Sequence, residues 1–328
     1  MFDKRTGLSM VALAVALVAS CSCSGPLRGS SSSIGNATPD VHLAAAPVPG
    51  GTLRRLPPGI FYFLAGSNPG SCNIWEVRNS GAMGKLTHNG QSGISAMSAG
   101  RQGIVAADAA QGADELAQVM SNGVRYLPLG RGEGHGETPD INDNGALAYM
   151  VPPYQNNYFE LGYRRSFNAH ARVFFRSRLP LSGPAWGPAS RVAVVAEGYA
   201  TDTSKPKSWL FVINEINGSA HQMATALTQF DYAVWGTRAP GIVISTWGGN
   251  AEYISQGRHL LLPHGWAPLS WSPDGRVLLV IRPNSGTAGE EMGLWNELRP
   301  RIVTDIGRVA SGFVITEAAW LARPASLK

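Results

Sequence analysis

Hydrophobic positions along the chain fall in short runs broken by Gly, Pro, Asn or Asp, and no long stretch repeats at the 3.6-residue helical period. The clearest unit is Leu269-Ser270-Trp271, then Ser272-Pro273-Asp274-Gly275, then Val277-Leu278-Leu279-Val280. Pro presets φ for a turn, Asp bonds the local backbone and Gly accepts the left-handed conformation. The pattern predicts a strand, a tight hairpin and a second strand. The last run is apolar on both faces, as a strand sandwiched between stacked sheets would be.

The same unit recurs. Trp186 precedes Val192-Ala193-Val194-Val195, and Trp235 leads through Pro240-Gly241 into Ile242-Val243-Ile244. Asp140 to Gly145 forms a turn before Ala146-Leu147-Ala148-Tyr149, and Met97-Ser98 leads through Gly103 into Ile104-Val105. Trp320 repeats the first strand at the C-terminus, with no room for its partner. Anchors at 97, 141, 186, 235, 271 and 320 are therefore spaced by 36 to 49 residues. The missing partner is Ile60 to Leu64, a second strand with no first strand before it. Ile74 to Val77 with Gly84 to Thr87, and Leu116 to Met120 with Val124 to Leu127, supply third and fourth strands. The expectation is an all-β chain: a six-bladed β-propeller over 57–328, closed by pairing of the C-terminal strand with the N-terminal strands. Ala106 to Met120 is helical in composition, but the repeat places a strand end, a loop and a strand there. A sandwich or two-domain all-β arrangement is the competing reading.

Composition narrows the class. Among 328 residues there are 39 Gly and 22 Pro, and only 15% are charged. That bias favours many turns over helical layers, and 44% hydrophobic content excludes disorder for most of the chain. A net charge of +5 over this length is no nucleic-acid footprint. Three Cys make no disulfide scaffold.

The Trp271-Ser272-Pro273-Asp274-Gly275 unit and the Ile74-x-x-Val77…Gly84-x-Leu86-Thr87 unit resemble the repeats of TolB-type propellers. Only 271–275 carries the full motif; the other repeats keep the Trp or the Gly and lose Pro-Asp. The resemblance implies a six-bladed ring. The family's periplasmic member has a separate N-terminal domain where this chain has a lipid tether, so its partner contacts do not carry over.

The N-terminus predicts an address. Lys4 and Arg5 precede an apolar run from Leu8 to Ala19, too short to span a bilayer and of the length of a signal segment. Val18-Ala19-Ser20-Cys21 resembles a bacterial lipobox, so residues 1–20 read as a lipoprotein signal peptide and Cys21 as the lipidated residue. An ordinary secretory signal is the alternative. Cys23 fits less well, lacking an aliphatic residue before it. Residues 21–56, rich in Ser, Gly, Ala and Pro, read as a lipidated flexible tether. The expected location is the cell membrane, lipid-anchored on its extracytoplasmic face.

Chemistry is sparse. The sequence contains no Gly-x-Ser-x-Gly elbow, His-Glu-x-x-His, P-loop or dinucleotide fingerprint, and no cofactor is expected. His135 and Glu137 lie in a Gly-rich loop with Asp140 and Asp143 following; a metal loop or an acid–base pair competes there with a plain hairpin turn. The repeat register makes Trp186, Trp235, Trp271 and Trp320 structural anchors. Trp247 and Trp266, with Tyr154, Tyr158 and Tyr199, fall in loops and are the better ligand candidates. His170 to Arg178 alternates basic and apolar residues, as a protected outer edge or an anion-facing strand would. Cys72 pairs with Cys23 or stays free. The functional expectation is a binding or scaffold protein engaging an envelope protein or peptide through propeller loops, with binding residues His135, Glu137, Tyr154, Tyr158, Trp247 and Trp266. The alternative is an enzyme acting on an envelope glycan or peptide in the central funnel, with His135 and Glu137 as acid and base.

Overall fold

The computed structural model describes residues 53, 56–67, 72–78, 83–87, 93–109, 115–128, 136–153, 157–199, 206–226, 229–246, 249–282, 289–310 and 313–327. The expected signal segment, Cys21, Cys23 and nearly all of the expected tether lie outside them, as do His135, Tyr154 and Trp247.

The described chain is built from strands in six four-stranded antiparallel sheets. The first blade holds β4 (Ile94–Gly100), β5 (Gly103–Asp108), β6 (Glu115–Met120) and β7 (Gly123–Tyr126). The second holds β8 (Glu137–Ile141), β9 (Leu147–Val151), β10 (Phe159–Arg164) and β11 (Arg172–Ser177). The third holds β12 (Ala185–Gly187), β13 (Arg191–Tyr199), β14 (Pro206–Asn214) and β15 (Ala220–Ala226). The fourth holds β16 (Phe230–Val234), β17 (Ile242–Thr246), β18 (Asn250–Ser255) and β19 (Arg258–Leu261). The fifth holds β20 (Ala267–Trp271), β21 (Leu278–Arg282), β22 (Glu291–Trp295) and β23 (Val303–Arg308).

The closing blade joins the two ends of the sequence. Its order is β24 (Val314–Leu321), β1 (Ile60–Gly66), β2 (Asn73–Val77) and β3 (Met83–Lys85). Phe61 pairs with Trp320, and Ile60 with Leu321. The sixth first strand thus completes the blade whose second strand opens the described fold, as the offset in the repeat predicts. The segment of helical composition resolves into β5 and β6, in line with the repeat rather than with propensity. Each second strand is sealed on both faces: Leu278, Leu279 and Val280 in β21 are fully buried, as are Ile242, Val243 and Ile244 in β17. The cores lie between blades, where neighbouring sheets stack. One combines Phe61 and Phe63 of the closing blade with Leu279 and Met292 of the fifth.

The anchor tryptophans fasten one blade to the next. Trp186 Nε1 donates to the Asp140 carbonyl at 3.1 Å, and Trp271 Nε1 donates to the Val234 carbonyl at 3.4 Å. Trp320 Nε1 donates to the Pro58 carbonyl at 3.2 Å, within the closing blade. The Trp235 ring instead lies flat against Gly187, where a Cβ would collide with it. In the hairpin after Trp271, Gly275 takes φ +72° and Ser272 accepts main-chain N–H groups of Arg276 and Val277. This is the turn the Ser-Pro-Asp-Gly sequence encodes.

Candidate functional site

Because each blade presents its first strand inward, β4, β8, β12, β16, β20 and β24 line a cavity of about 700 Å³. In a four-stranded blade the innermost strand has one edge without a strand partner, and its backbone groups need another solution. The chain supplies one at each of the six junctions, among the described residues. Ser98 accepts the Ile141 N–H at 3.2 Å, Asp140 accepts the Trp186 N–H at 2.6 Å, and Tyr232 donates to the Pro268 carbonyl at 2.9 Å. Ser270 accepts the Trp320 N–H at 3.1 Å, and Glu317 accepts the Met97 N–H across the closing seam. Between the third and fourth blades Ser208 accepts the Phe230 N–H at 2.9 Å, while Trp235 Nε1 is buried without a partner among the described residues.

Three of these side chains have raised pKa values, and for the Tyr232 phenol the cause is its burial. Burial pushes the Asp140 carboxyl up to about 6, against opposing hydrogen bonds from Ser98, Trp186 and Ile141. Burial pushes Glu317 up to about 8, with the Asp140 charge adding in the same direction. Raised carboxyls lining a cavity are what an acid–base pair looks like. Here both oxygens of Asp140 are engaged, one by Ser98 at 2.5 Å and Ile141 at 2.9 Å, the other by Trp186. That geometry makes Asp140 an inter-blade fastener.

One mouth of the cavity carries charge. First strands end there and turn into second strands, and three of those ends place Arg101, Arg238 and Arg323 on the cavity lining. All three are exposed, and no described acidic side chain pairs with them. Asp143 is the carboxylate beside them, and it accepts the Thr237 hydroxyl at 2.9 Å. Three unpaired guanidiniums around a concave opening favour carboxylates, which match their fork geometry.

The residues singled out from the sequence are placed differently. Glu137 begins β8, at the opposite end of the first strands from the arginines. Tyr158 precedes β10 on that same opposite face, with the Arg178 guanidinium 5.6 Å above its ring and 3.3 Å from its hydroxyl. Trp266, expected in a loop, does stand in the connection before β20, but it is 8% exposed: its ring covers Gly293, with Arg282 stacked 4.9 Å above it. It is a core side chain. Tyr199 ends β13. Glu137, Tyr158 and Trp266 are therefore not gathered around one pocket, and His135, Tyr154 and Trp247 fall outside the described residues. Among the described residues no cluster of three metal-ligating side chains forms. Cys72 is buried, and that burial raises its thiol pKa. The arginine mouth went unnoticed in the sequence. Its signal is an arginine in the turn after a first strand, visible only once the repeat register is fixed.

No protein-family model and no curated protein matches the chain. Solved structures do. TolB from Acinetobacter baumannii superposes with a TM-score of 0.59 at 8% identity, covering 81% of this chain and 67% of that one. A chain of a nidogen–laminin complex gives 0.55 at 9% identity, covering 82% of this chain and 100% of that one. A puromycin hydrolase variant gives 0.50 at 12% identity, covering 81% of this chain and 54% of that one. Ring, closure and likeness together define a six-bladed β-propeller with the TolB-like fold. At these identities the likeness is one of fold.

Proposed function

We propose that this chain is a binding propeller of the bacterial cell envelope that takes an acidic segment of a protein or peptide partner at its arginine mouth. The observation that carries the reading is the set of three exposed guanidiniums, Arg101, Arg238 and Arg323, around one opening of the axial cavity. The cavity wall beneath them is polar and already cross-linked by hydrogen bonds, so a partner meets a preorganised surface. The likeness to TolB and to a chain of the nidogen–laminin complex supports a protein partner. The N-terminal sequence supports export and anchoring through lipid on Cys21 at the extracytoplasmic face of the membrane. One acyl chain holds a protein at a membrane only marginally, so a multiply acylated Cys21 is the form that anchors stably.

A photoreactive residue placed at Arg238 tests the binding half in living cells, with Leu298, 82% exposed in the turn after β22, as the control position. A discrete adduct from Arg238 that an acidic peptide competes away supports the reading. Equal adducts from both positions, or none from Arg238, contradict it. Palmitate labelling that survives Cys21→Ser contradicts the anchoring half.

A further inference from the structure

A second candidate site lies at the rim of the ring, where the outer strand of the first blade meets the turn between β10 and β11. Arg125, Tyr126 and Leu127 form one wall of a groove of about 610 Å³, and Arg164, Asn168 and His170 form the other. Arg164 ends β10 and is only 2% exposed. Its Nη1 donates to the Ala169 carbonyl at 3.0 Å, while its Nε is buried with no partner among the described residues. No described carboxylate pairs with it. A guanidinium so withdrawn from water carries a large desolvation penalty, and one neutral carbonyl offsets little of it.

The surroundings add positive charge. Arg125 donates to Asn168 Oδ1 at 3.1 Å and also to Gln118, which holds its guanidinium at the groove wall. The carboxylate next to the groove, Asp108, is taken up by the Tyr126 hydroxyl at 3.0 Å. His170 opens the alternating basic run, and the arginines of that run are engaged elsewhere. Arg172 covers the Tyr163 ring at 4.6 Å, Arg176 pairs with Glu160 at 2.8 Å, and Arg178 stacks on Tyr158. His170 is left exposed on the groove. Two guanidiniums with a titratable imidazole suit a group carrying close to two negative charges better than a single carboxylate.

We propose that this groove binds a phosphate-type oxyanion, with Arg164 as its buried anchor and Arg125 and His170 on its rim. The site is independent of the arginine mouth. Both a soluble phosphate and a lipid headgroup carry the required chemistry.

The test is a thermal titration of the full chain with inorganic phosphate at constant ionic strength. A saturable rise in melting temperature is expected, with none from chloride at the same ionic strength. Arg164→Gln abolishes the rise, but this change alone is open to a folding defect. The exposed rim changes His170→Glu and Asn168→Asp decide: their carboxylates supply negative charge beside the guanidiniums, so without phosphate the melting temperature is no lower than the parent's, and together they weaken phosphate at least about tenfold. No saturable rise, or one undiminished in the double variant, overturns the proposal. Flotation of the Cys21→Ser chain, which carries no lipid of its own, with phosphatidylcholine vesicles containing phosphatidic acid then separates the sources. Flotation lost in the double variant supports a headgroup ligand, and phosphate binding without flotation supports a soluble one.

Discussion

Asp140 in the second blade accepts the main-chain N–H of Trp186 in the third at 2.6 Å. Its other oxygen takes the Ser98 hydroxyl at 2.5 Å from the first blade. One carboxylate therefore ties three successive blades together at the wall of the cavity. Replacing Asp140 by Ala leaves the Trp186 and Ile141 N–H groups and the Ser98 hydroxyl without this acceptor, and about 3 kcal/mol of stability is expected to go with it. Asp140→Asn keeps one acceptor oxygen and costs less. Urea unfolding of the two variants beside the parent checks the order; equal stability of all three would remove the fastening role.

Glu317 makes folding pH-dependent. Its carboxyl is raised to about 8 in the fold, against an ordinary value of 4.5. Between those two values the unfolded chain releases a proton that the folded chain retains. The contribution of Glu317 to stability is thus fully present below the unfolded value and falls as pH rises through the window. The slope approaches about 1.4 kcal/mol per pH unit in mid-window. Asp140 acts in the same direction over its own window, from 3.8 to about 6. Stability of the parent is expected to fall from pH 5 to pH 8 more steeply than that of Glu317→Gln. Parallel curves from denaturant midpoints across that range would show that Glu317 titrates as an ordinary surface carboxyl.

Gly187 has no side chain because the Trp235 ring of the following blade occupies that space. Gly187→Ala is expected to push the ring off its seat at a cost of about 1–3 kcal/mol. The accompanying signal is a change in tryptophan fluorescence in the folded state. A variant as stable as the parent, with an unchanged spectrum, would show that the blades part easily at this junction.

The repeat and its closure were legible because tryptophan, glycine and Pro-Asp-Gly turns act locally, each marking one hairpin. The offset between Trp320 and Ile60 then required the ends of the chain to share a sheet. The cavity wall was not legible in the same way. Whether Glu317 reaches Met97 depends on how two blades 220 residues apart in sequence register against each other, and no local pattern encodes that. The burial of Trp266 was not legible for a related reason. It stands in a connection before β20, yet Gly293 two strands away leaves a surface on which its ring lies buried. No local pattern marks the arginines: only the ring brings Arg101, Arg238 and Arg323 from three different blades to one opening.

The central claim is that this opening recognises acidic chains. Fluorescence anisotropy of a labelled poly-glutamate peptide against the full chain measures it directly, with Arg101→Gln, Arg238→Gln and Arg323→Gln combined in one variant. The expected result is saturable binding by the parent that weakens as salt rises, and a loss of at least about tenfold in the variant at an unchanged melting temperature. Binding of equal strength by parent and variant, or no binding by the parent at low salt, would contradict it.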